Sequence, residues 1–280
     1  MADKGEVVMV TGGAGFLGQH IVKLLQEKAC TDNCVKRLVY TSTVDVVIGD
    51  DEIYDGDESL PIPNKFLFLG YPETKYRAES AVLRSNGTPL KCGVDQCLHT
   101  IALRPPIMYG EGDPYYVTYG LKRAIENNGV LQRIGNEKNL LEQAYVGNVA
   151  WAHISANNAL ARDKKLGGEV FFITDDTPKL NPSRLMEIFL KARGMSLSTY
   201  SIPYSFVYCI MYAVETFLHL ISPIYQLNLK DPLCSLIYVN RNLYFSRNKA
   251  ERMFGYKPIY DFNTSVSLAK NYYKHLSLEK

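Results

Sequence analysis

A chain of 280 residues is long enough for one large α/β domain, or for a large domain with a small lobe appended. With 46% hydrophobic and 21% charged residues it has the composition of a folded globular protein and not of a disordered one. The net charge of +2 comes without a long basic run, which argues against nucleic acid as a partner. Met1–Glu6 carries acidic residues and no apolar core, so no secretory signal is expected. Six cysteines occur, at positions 30, 34, 92, 97, 209 and 234. They form no C-x-x-C pair and have no histidine at zinc-ligand spacing, so they read as reduced thiols and no metal site is expected.

Glu6–Val10 (EVVMV) is a short apolar run rich in β-branched residues, read as a buried strand. A glycine-rich turn follows, then Gln19–Lys28, in which Ile21, Leu24 and Leu25 share one helical face. Lys36–Thr41 (KRLVYT) is a second buried strand, and the acidic, proline-containing Asp50–Lys65 is a surface loop. Tyr71–Arg84 is helical, with Ala78, Ala81, Val82 and Leu83 as its apolar stripe. Thr100–Leu103 is a third strand, ended by Arg104-Pro105-Pro106. Asp113–Asn127 is expected as a helix and Gln143–Val146 as a short extended piece, with Asn148 as the N-cap of a helix over Val149–Arg162. Glu169–Ile173 is a fourth strand, and Ser183–Ala192 a helix closed by Arg193-Gly194. Ser246 is expected to cap a helix running to Phe254, with Gly255 closing it and Pro258 just beyond.

Strands and helices in alternation predict an α/β fold with a doubly wound parallel sheet. Residues 1–170 are assigned to that domain and 171–280 mostly to a smaller C-terminal substrate lobe. Ile202–Tyr225 within the lobe is largely apolar but contains Glu215 and His219, which makes it marginal as a spanning helix. Two readings of it stay open: a buried or lid helix, or a membrane-associated helix with aromatic residues at its edges.

Thr11–Gly18 reads TGGAGFLG, placing Gly12, Gly15 and Gly18 in G-x-x-G-x-x-G between a predicted strand and a predicted helix. Such glycines permit a tight turn, close backbone approach to a pyrophosphate and close packing of helix on strand, while the helix N-terminus offers free amides. Tyr71-Pro72-Glu73-Thr74-Lys75 gives Y-x-x-x-K, and the i, i+4 spacing sets both side chains on one helix face. A neighbouring ammonium favours the phenolate and is expected to lower the tyrosine's pKa, so that the pair can exchange a proton with an alcohol. Upstream, Tyr40-Thr41-Ser42-Thr43-Val44-Asp45-Val46-Val47 supplies hydroxyls at the end of a strand.

The glycine spacing resembles the short-chain dehydrogenase/reductase superfamily, in particular its extended branch. The Tyr40–Val47 segment resembles the Y-T-S-S/T-x-x-V stretch of the 3β-hydroxysteroid dehydrogenase family. So do Gly56–Pro61 (GDESLP), Leu103–Gly112 (LRPPIMYGEG), Ala144–His153 (AYVGNVAWAH), Val170–Thr177 (VFFITDDT) and Phe254–Pro258 (FGYKP). The resemblance implies a Rossmann-like fold and a nicotinamide cofactor, usually NAD, with NADP left open. It implies oxidation of a 3β-hydroxyl on a sterol or steroid, and residence on the cytosolic face of the endoplasmic reticulum membrane or in the cytoplasm. It assigns Thr43 as the catalytic hydroxyl (Ser42 being the second choice), Tyr71 as acid/base and Lys75 as its partner and as a ligand of the nicotinamide ribose. Gly12, Gly15, Phe16, Leu17, Gly18 and Pro105 would contact the cofactor as well.

One departure stands against these matches. After the glycine-loop helix the superfamily continues into a second strand ending in an acidic residue that holds the adenosine ribose. Here Leu24–Lys28 runs directly into Ala29–Arg37, which resembles the end of the helix preceding the family's fourth strand. Strands two and three with their helices, on the order of eighty residues, are therefore expected to be missing. The Rossmann-like sheet is then truncated. The Glu6–Val10 strand becomes the direct neighbour of the Lys36–Thr41 strand, against the usual right-handed crossover unless the first strand shifts. An exposed first strand would also invite a homodimer. Two alternatives to the sterol enzyme follow: a truncated, non-catalytic isoform, and an extended-class enzyme acting on nucleotide sugars.

Overall fold

The computed structural model describes residues 8–11, 35–91, 96–221 and 232–278. In chain order the elements are β1 (Val8–Thr11), β2 (Arg37–Thr41), β3 (Ile53–Gly56), α1 (Tyr71–Arg84), β4 (His99–Arg104), β5 (Ile107–Tyr109), α2 (Val117–Glu126) and β6 (Val130–Ile134). There follow β7 (Gln143–Tyr145), α3 (Val146–Arg162), β8 (Glu169–Phe172), α4 (Pro182–Ala192), β9 (Ser196–Ile202), α5 (Tyr204–Ile221), α6 (Pro232–Val239), β10 (Leu243–Phe245), α7 (Asn248–Phe254) and α8 (Phe262–His275). The chain forms two compact units that alternate along it. One comprises residues 1–106, 146–176 and 245–261, the other residues 107–145, 177–244 and 262–280.

The first unit is built on a parallel sheet with strand order β1-β2-β4-β8. The first two strands pair Val8 with Arg37 through Thr11 with Tyr40. Arg37 to Thr41 then pair with His99 to Leu103, and Ile101 to Arg104 with Glu169 to Phe172. Because side chains alternate along a strand, β2 divides its residues between two helices. Leu38 and Tyr40 join Ala78 and Val82 of α1, together with Leu90, Leu98 and Ala102, in one buried cluster. On the opposite face Arg37 Nε donates to Asn157 Oδ1 of α3 at 2.8 Å, and Thr41 Oγ1 bonds His153 Nε2 at 2.7 Å. A strand covered on both faces is apolar at its centre, where Leu38, Val39 and Tyr40 are consecutive and buried.

Helix α3 begins at Val146, so Asn148 lies inside its first turn and is not the N-cap the sequence suggested. Its carboxamide is fully buried and serves a distant stretch of chain instead. Oδ1 accepts from the backbone N–H groups of Ile259 (3.1 Å) and Tyr260 (3.0 Å), while Nδ2 donates to Asp175 Oδ2 (2.8 Å) and the Tyr260 carbonyl (2.9 Å). Helix α7 ends on Gly255 at φ 71°, a left-handed C-cap that glycine adopts without penalty.

In the second unit β5 pairs with β7 and β6 with β9, all parallel. Helix α2 starts later than expected because Asp113 precedes it as a capping group. Its carboxylate accepts from the backbone N–H groups of Tyr115, Tyr116, Val117 and Thr118, and from the Tyr273 hydroxyl. Tyr109, Tyr145, Phe189 and Tyr273 form a buried aromatic core with neighbouring ring centroids 5.0–5.8 Å apart. The apolar stretch beginning at Ile202 is helical as α5, with Phe206, Tyr212 and Phe217 exposed. Among the described residues no helix is long and apolar enough to cross a membrane.

Candidate active site

The C-terminal ends of β2 and β4 and the first turn of α1 meet in the first unit. Beyond Thr41 the chain stays tied to β4: Ser42 N–H donates to the Leu103 carbonyl (2.7 Å) and Val44 N–H to the Pro105 carbonyl (3.1 Å). It then tightens into a 3-10 turn over Val44–Val47, for which Thr43 is the N-cap. Thr43 Oγ1 accepts from Asp45 N–H at 3.3 Å and donates to Asp45 Oδ2 at 3.0 Å. This local Thr-x-Asp bonding is a habit of hydroxyl and carboxylate side chains two residues apart. It fixes a buried threonine at the strand's end.

Tyr71 and Lys75 come to the same place from α1. Tyr71 is the first residue of the helix and is partly exposed. Lys75 is buried, and its Nζ donates to the Thr41 carbonyl at 2.9 Å. That nitrogen lies 5.5 Å from the centre of the Tyr40 ring and 5.9 Å from that of Tyr71. Thr41 is held from the other face by His153. The ring's Nδ1 lies 2.7 Å from the Val149 carbonyl and so carries the proton, leaving Nε2 to accept from Thr41. Burial lowers the His153 pKa, in keeping with a neutral ring.

Thr43, Tyr71 and Lys75 are thus brought together, with Pro105 beside them through its bond to Val44. Ser42 is buried, and its Oγ has no hydrogen-bond partner among the described residues. Gly12, Gly15, Phe16, Leu17 and Gly18 lie outside the described residues. Asp45 is the neighbour of this site that the sequence did not single out, and the signal for it was its place two residues after a strand-end threonine. Thr41 and His153 were passed over too, since nothing local announces a bond spanning more than a hundred residues.

The electrostatics depart from the expected pattern. Burial and the Asp45 carboxylate push the Tyr71 hydroxyl up to about 12, with the Thr43 side chain opposing. Lys75 is pushed down to about 8 by burial, with Asp45 opposing. Asp45 itself rises to about 6, because burial outweighs the Thr43 bond and the Lys75 charge. The expected lowering of Tyr71 by Lys75 is absent because the ammonium is directed at the Thr41 carbonyl, and the charge nearest the phenol's network is negative.

A parallel α/β sheet with a Y-x-x-x-K helix facing a strand-end hydroxyl defines the short-chain dehydrogenase/reductase class. The chain belongs to the 3-beta hydroxysteroid dehydrogenase/isomerase family, whose sequence model matches residues 26–204. It is 35% identical over 237 residues to short-chain dehydrogenase/reductase family 42E member 1 of Macaca fascicularis, covering 82% of this chain and 58% of that protein. The Mus musculus protein of the same name is 33% identical over 241 residues, covering 82% of this chain and 59% of that one. The chain therefore spans about three-fifths of the length of these curated relatives. Among solved structures, a UDP-galactose 4-epimerase superposes with a TM-score of 0.63 at 12% identity, covering 97% of this chain and 78% of that one, which is a likeness of fold.

Proposed function

We propose that the chain is a nicotinamide-dependent oxidoreductase acting on the 3β-hydroxyl of a sterol or steroid. The observation that carries the reading is the grouping of Thr43, Tyr71 and Lys75 at the C-terminal ends of parallel strands, where ligands of such sheets bind. The residues present suit the nicotinamide end of the cofactor. Lys75 uses one N–H donor on Thr41, leaving two among the described residues for ribose hydroxyls, and the buried Ser42 hydroxyl has no hydrogen-bond partner among them. Gly12, Gly15, Phe16, Leu17 and Gly18 would hold the pyrophosphate and Pro105 would border the nicotinamide, with NAD the first choice and NADP open.

A bound nicotinamide would supply the hydride chemistry at the substrate carbon. The chain's own part concerns the oxygen. Thr43 bonds it, Tyr71 takes or gives its proton, and Lys75 offsets the negative charge that develops on Tyr71. The exposed apolar side chains of α5, including Phe206 and Phe217, support a helix lying on a membrane surface from which a lipid-like substrate is drawn.

The direct pairing of β1 with β2 favours a second reading, a chain shortened on the adenosine side that no longer turns over. Titration of NADH fluorescence with folded protein separates the two: micromolar binding supports the oxidoreductase, and no binding supports the second. Turnover is then measured with NAD and a 3β-hydroxysteroid, with a UDP-sugar as the contrasting substrate. Tyr71→Phe, which removes only the ionisable hydroxyl, is expected to abolish turnover while far-ultraviolet circular dichroism stays unchanged. Retained turnover in that variant refutes the role of Tyr71.

A further inference from the structure

We infer that His153 is a positioning residue of this site, one that holds the Thr41–Ser42 peptide through the Thr41 hydroxyl and so fixes the carbonyl on which the Lys75 ammonium rests. Its catalytic meaning rests on the oxidoreductase reading, but the contacts stand without it. Thr41, at the end of β2, is bonded to helices on both faces of the sheet. Its Oγ1 lies 2.7 Å from Nε2 of His153 on α3, and its carbonyl accepts from Nζ of Lys75 on α1 at 2.9 Å. The Val149 carbonyl can only accept, so His153 Nδ1, 2.7 Å from it, is the donor there. Nε2 is left as the acceptor for the Thr41 hydroxyl. With both ring nitrogens engaged, the buried imidazole is fixed between its own helix and the strand end.

The Thr41 carbonyl and the Ser42 N–H belong to one planar peptide group, in which they point in opposite directions. The Ser42 N–H donates to the Leu103 carbonyl of β4 at 2.7 Å, so the Thr41 carbonyl faces away from β4, and there Lys75 reaches it. This peptide lies at the edge of the regular pairing, which ends at Thr41–Leu103 on one side and Thr11–Tyr40 on the other. A single bond to β4 lets the plane rock about that contact. The bond to His153 opposes the rocking, because the β-branched Thr41 side chain is stiff about χ1 and carries its backbone with it. Where the carbonyl points decides where the other two N–H donors of Lys75 go, and on the oxidoreductase reading those donors meet the ribose hydroxyls. The charge acting on Lys75 is that of Asp45, while Tyr40 and Tyr71 present their rings, and Glu79, one turn on, is paired with Arg104. Burial keeps His153 neutral, so it reaches Lys75 through the position of the carbonyl and not through charge.

The test needs neither cofactor nor substrate. Protein carrying 15N-histidine and 13Cε-lysine is followed by NMR, with His153 and Lys75 assigned through H153N and K75R. The His153 spectrum is expected to show the proton on Nδ1 and Nε2 as an acceptor. Lys75 is expected to titrate near 8 in the wild type, and lower by about half a pH unit or more in Thr41→Val, since loss of a fixed acceptor disfavours the ammonium. Thr41→Ser, which keeps the hydroxyl, is expected to restore the wild-type midpoint. His153→Asn keeps a donor for the Val149 carbonyl but falls short of Thr41, and is expected to behave as Thr41→Val does. His153→Gln keeps an acceptor at the reach of Nε2, and is expected to behave as Thr41→Ser does. Should the His153 variants fail to fold, the two Thr41 variants decide alone. A Lys75 midpoint moved by less than about 0.2 pH unit in folded Thr41→Val overturns the inference, as does a proton on Nε2 of His153. Where the wild type oxidises a 3β-hydroxysteroid, Thr41→Val and His153→Asn are expected to lower kcat about tenfold with the steroid KM changed less than about twofold, and the Ser and Gln variants to recover most of that rate. A wild type without turnover whose Lys75 midpoint still responds to Thr41→Val removes the oxidoreductase reading and leaves the positioning role of His153 standing.

Discussion

Glu79 and Arg104 offer the most direct test of how the site's framework is held. Arg104 Nε and Nη2 meet Glu79 Oε2 and Oε1 at 2.9 and 2.6 Å, a two-point contact between α1 and the end of β4. The two side chains are 2–5% exposed, and the guanidinium also lies 5.5 Å from the centre of the Phe172 ring. Glu79 stands one turn beyond Lys75 on the same helix, so the pair pins the helix that carries Tyr71. Replacing Glu79 by leucine leaves a buried guanidinium without its counter-charge, at a cost of about 3–5 kcal/mol. Set against a typical total of about 5–15 kcal/mol, that is a large loss. Replacing both partners, as Glu79→Leu with Arg104→Met, removes the unpaired charge and is expected to come within ~2 kcal/mol of wild type. Urea unfolding followed by fluorescence is suited to the measurement, because the chain's one tryptophan, Trp151, lies on α3 in the same unit. A single variant losing less than ~1 kcal/mol, or a double variant as damaged as the sum of the two singles, refutes the argument.

Asn148→Ala removes a carboxamide that satisfies three backbone groups and Asp175, and is expected to cost about 3 kcal/mol in the same unfolding assay; a loss below ~1 kcal/mol counts against it. Gly135 sits at φ 79°, and an added Cβ would lie 1.7 Å from Asn240 Oδ1, so Gly135→Ala is expected to destabilise the second unit by about 2 kcal/mol or more, read by circular dichroism melting. Asp45 binds its proton more tightly folded than unfolded, since its pKa rises from 3.8 to about 6. Its contribution to stability is therefore present below the unfolded value and is lost as pH climbs through about 6. Asp45→Asn should then be more stable than wild type by about 1–3 kcal/mol at pH 7.5, with the gain disappearing by about pH 4. An equal gain at both pH values would show that packing, and not charge, is responsible.

The parts legible in the sequence were those whose signal is local. Tyr71–Arg84 begins and ends where its apolar stripe and proline placed it, since Pro72 fits the first turn and Ala78 and Val82 fall on one face. The strands of the first unit were legible for a related reason: sheets covered on both sides leave continuous apolar runs. Asn148 was misread because a side chain at a helix start has the same appearance whether it caps its own amides or bonds a segment more than a hundred residues away. The 50–65 stretch hides the four-residue strand Ile53–Gly56, too short for alternation to register. Helix α8 was missed because it buries only Ser265, Ala269 and Tyr273 among polar neighbours. At the site, Tyr71 and Lys75 came from their Y-x-x-x-K spacing and Thr43 from the family resemblance, whereas Asp45 gains its place only once the 3-10 turn folds its carboxylate back onto Thr43.

The register of β1 on β2 has a consequence for what such a chain can lose and keep. The hydrogen bonds that join parallel strands are made by backbone groups, and β1 makes its own with Arg37–Tyr40. Among the described residues, the bonds around Thr43 and Lys75 come from β2, its following turn, α1, β4 and α3, and none is made by β1. Chemistry and tethering are in this sense separately inherited. On the proposed function, a rearrangement confined to the far side of β2 would touch the cofactor's adenosine half and leave Thr43, Tyr71 and Lys75 in the frame that orders them.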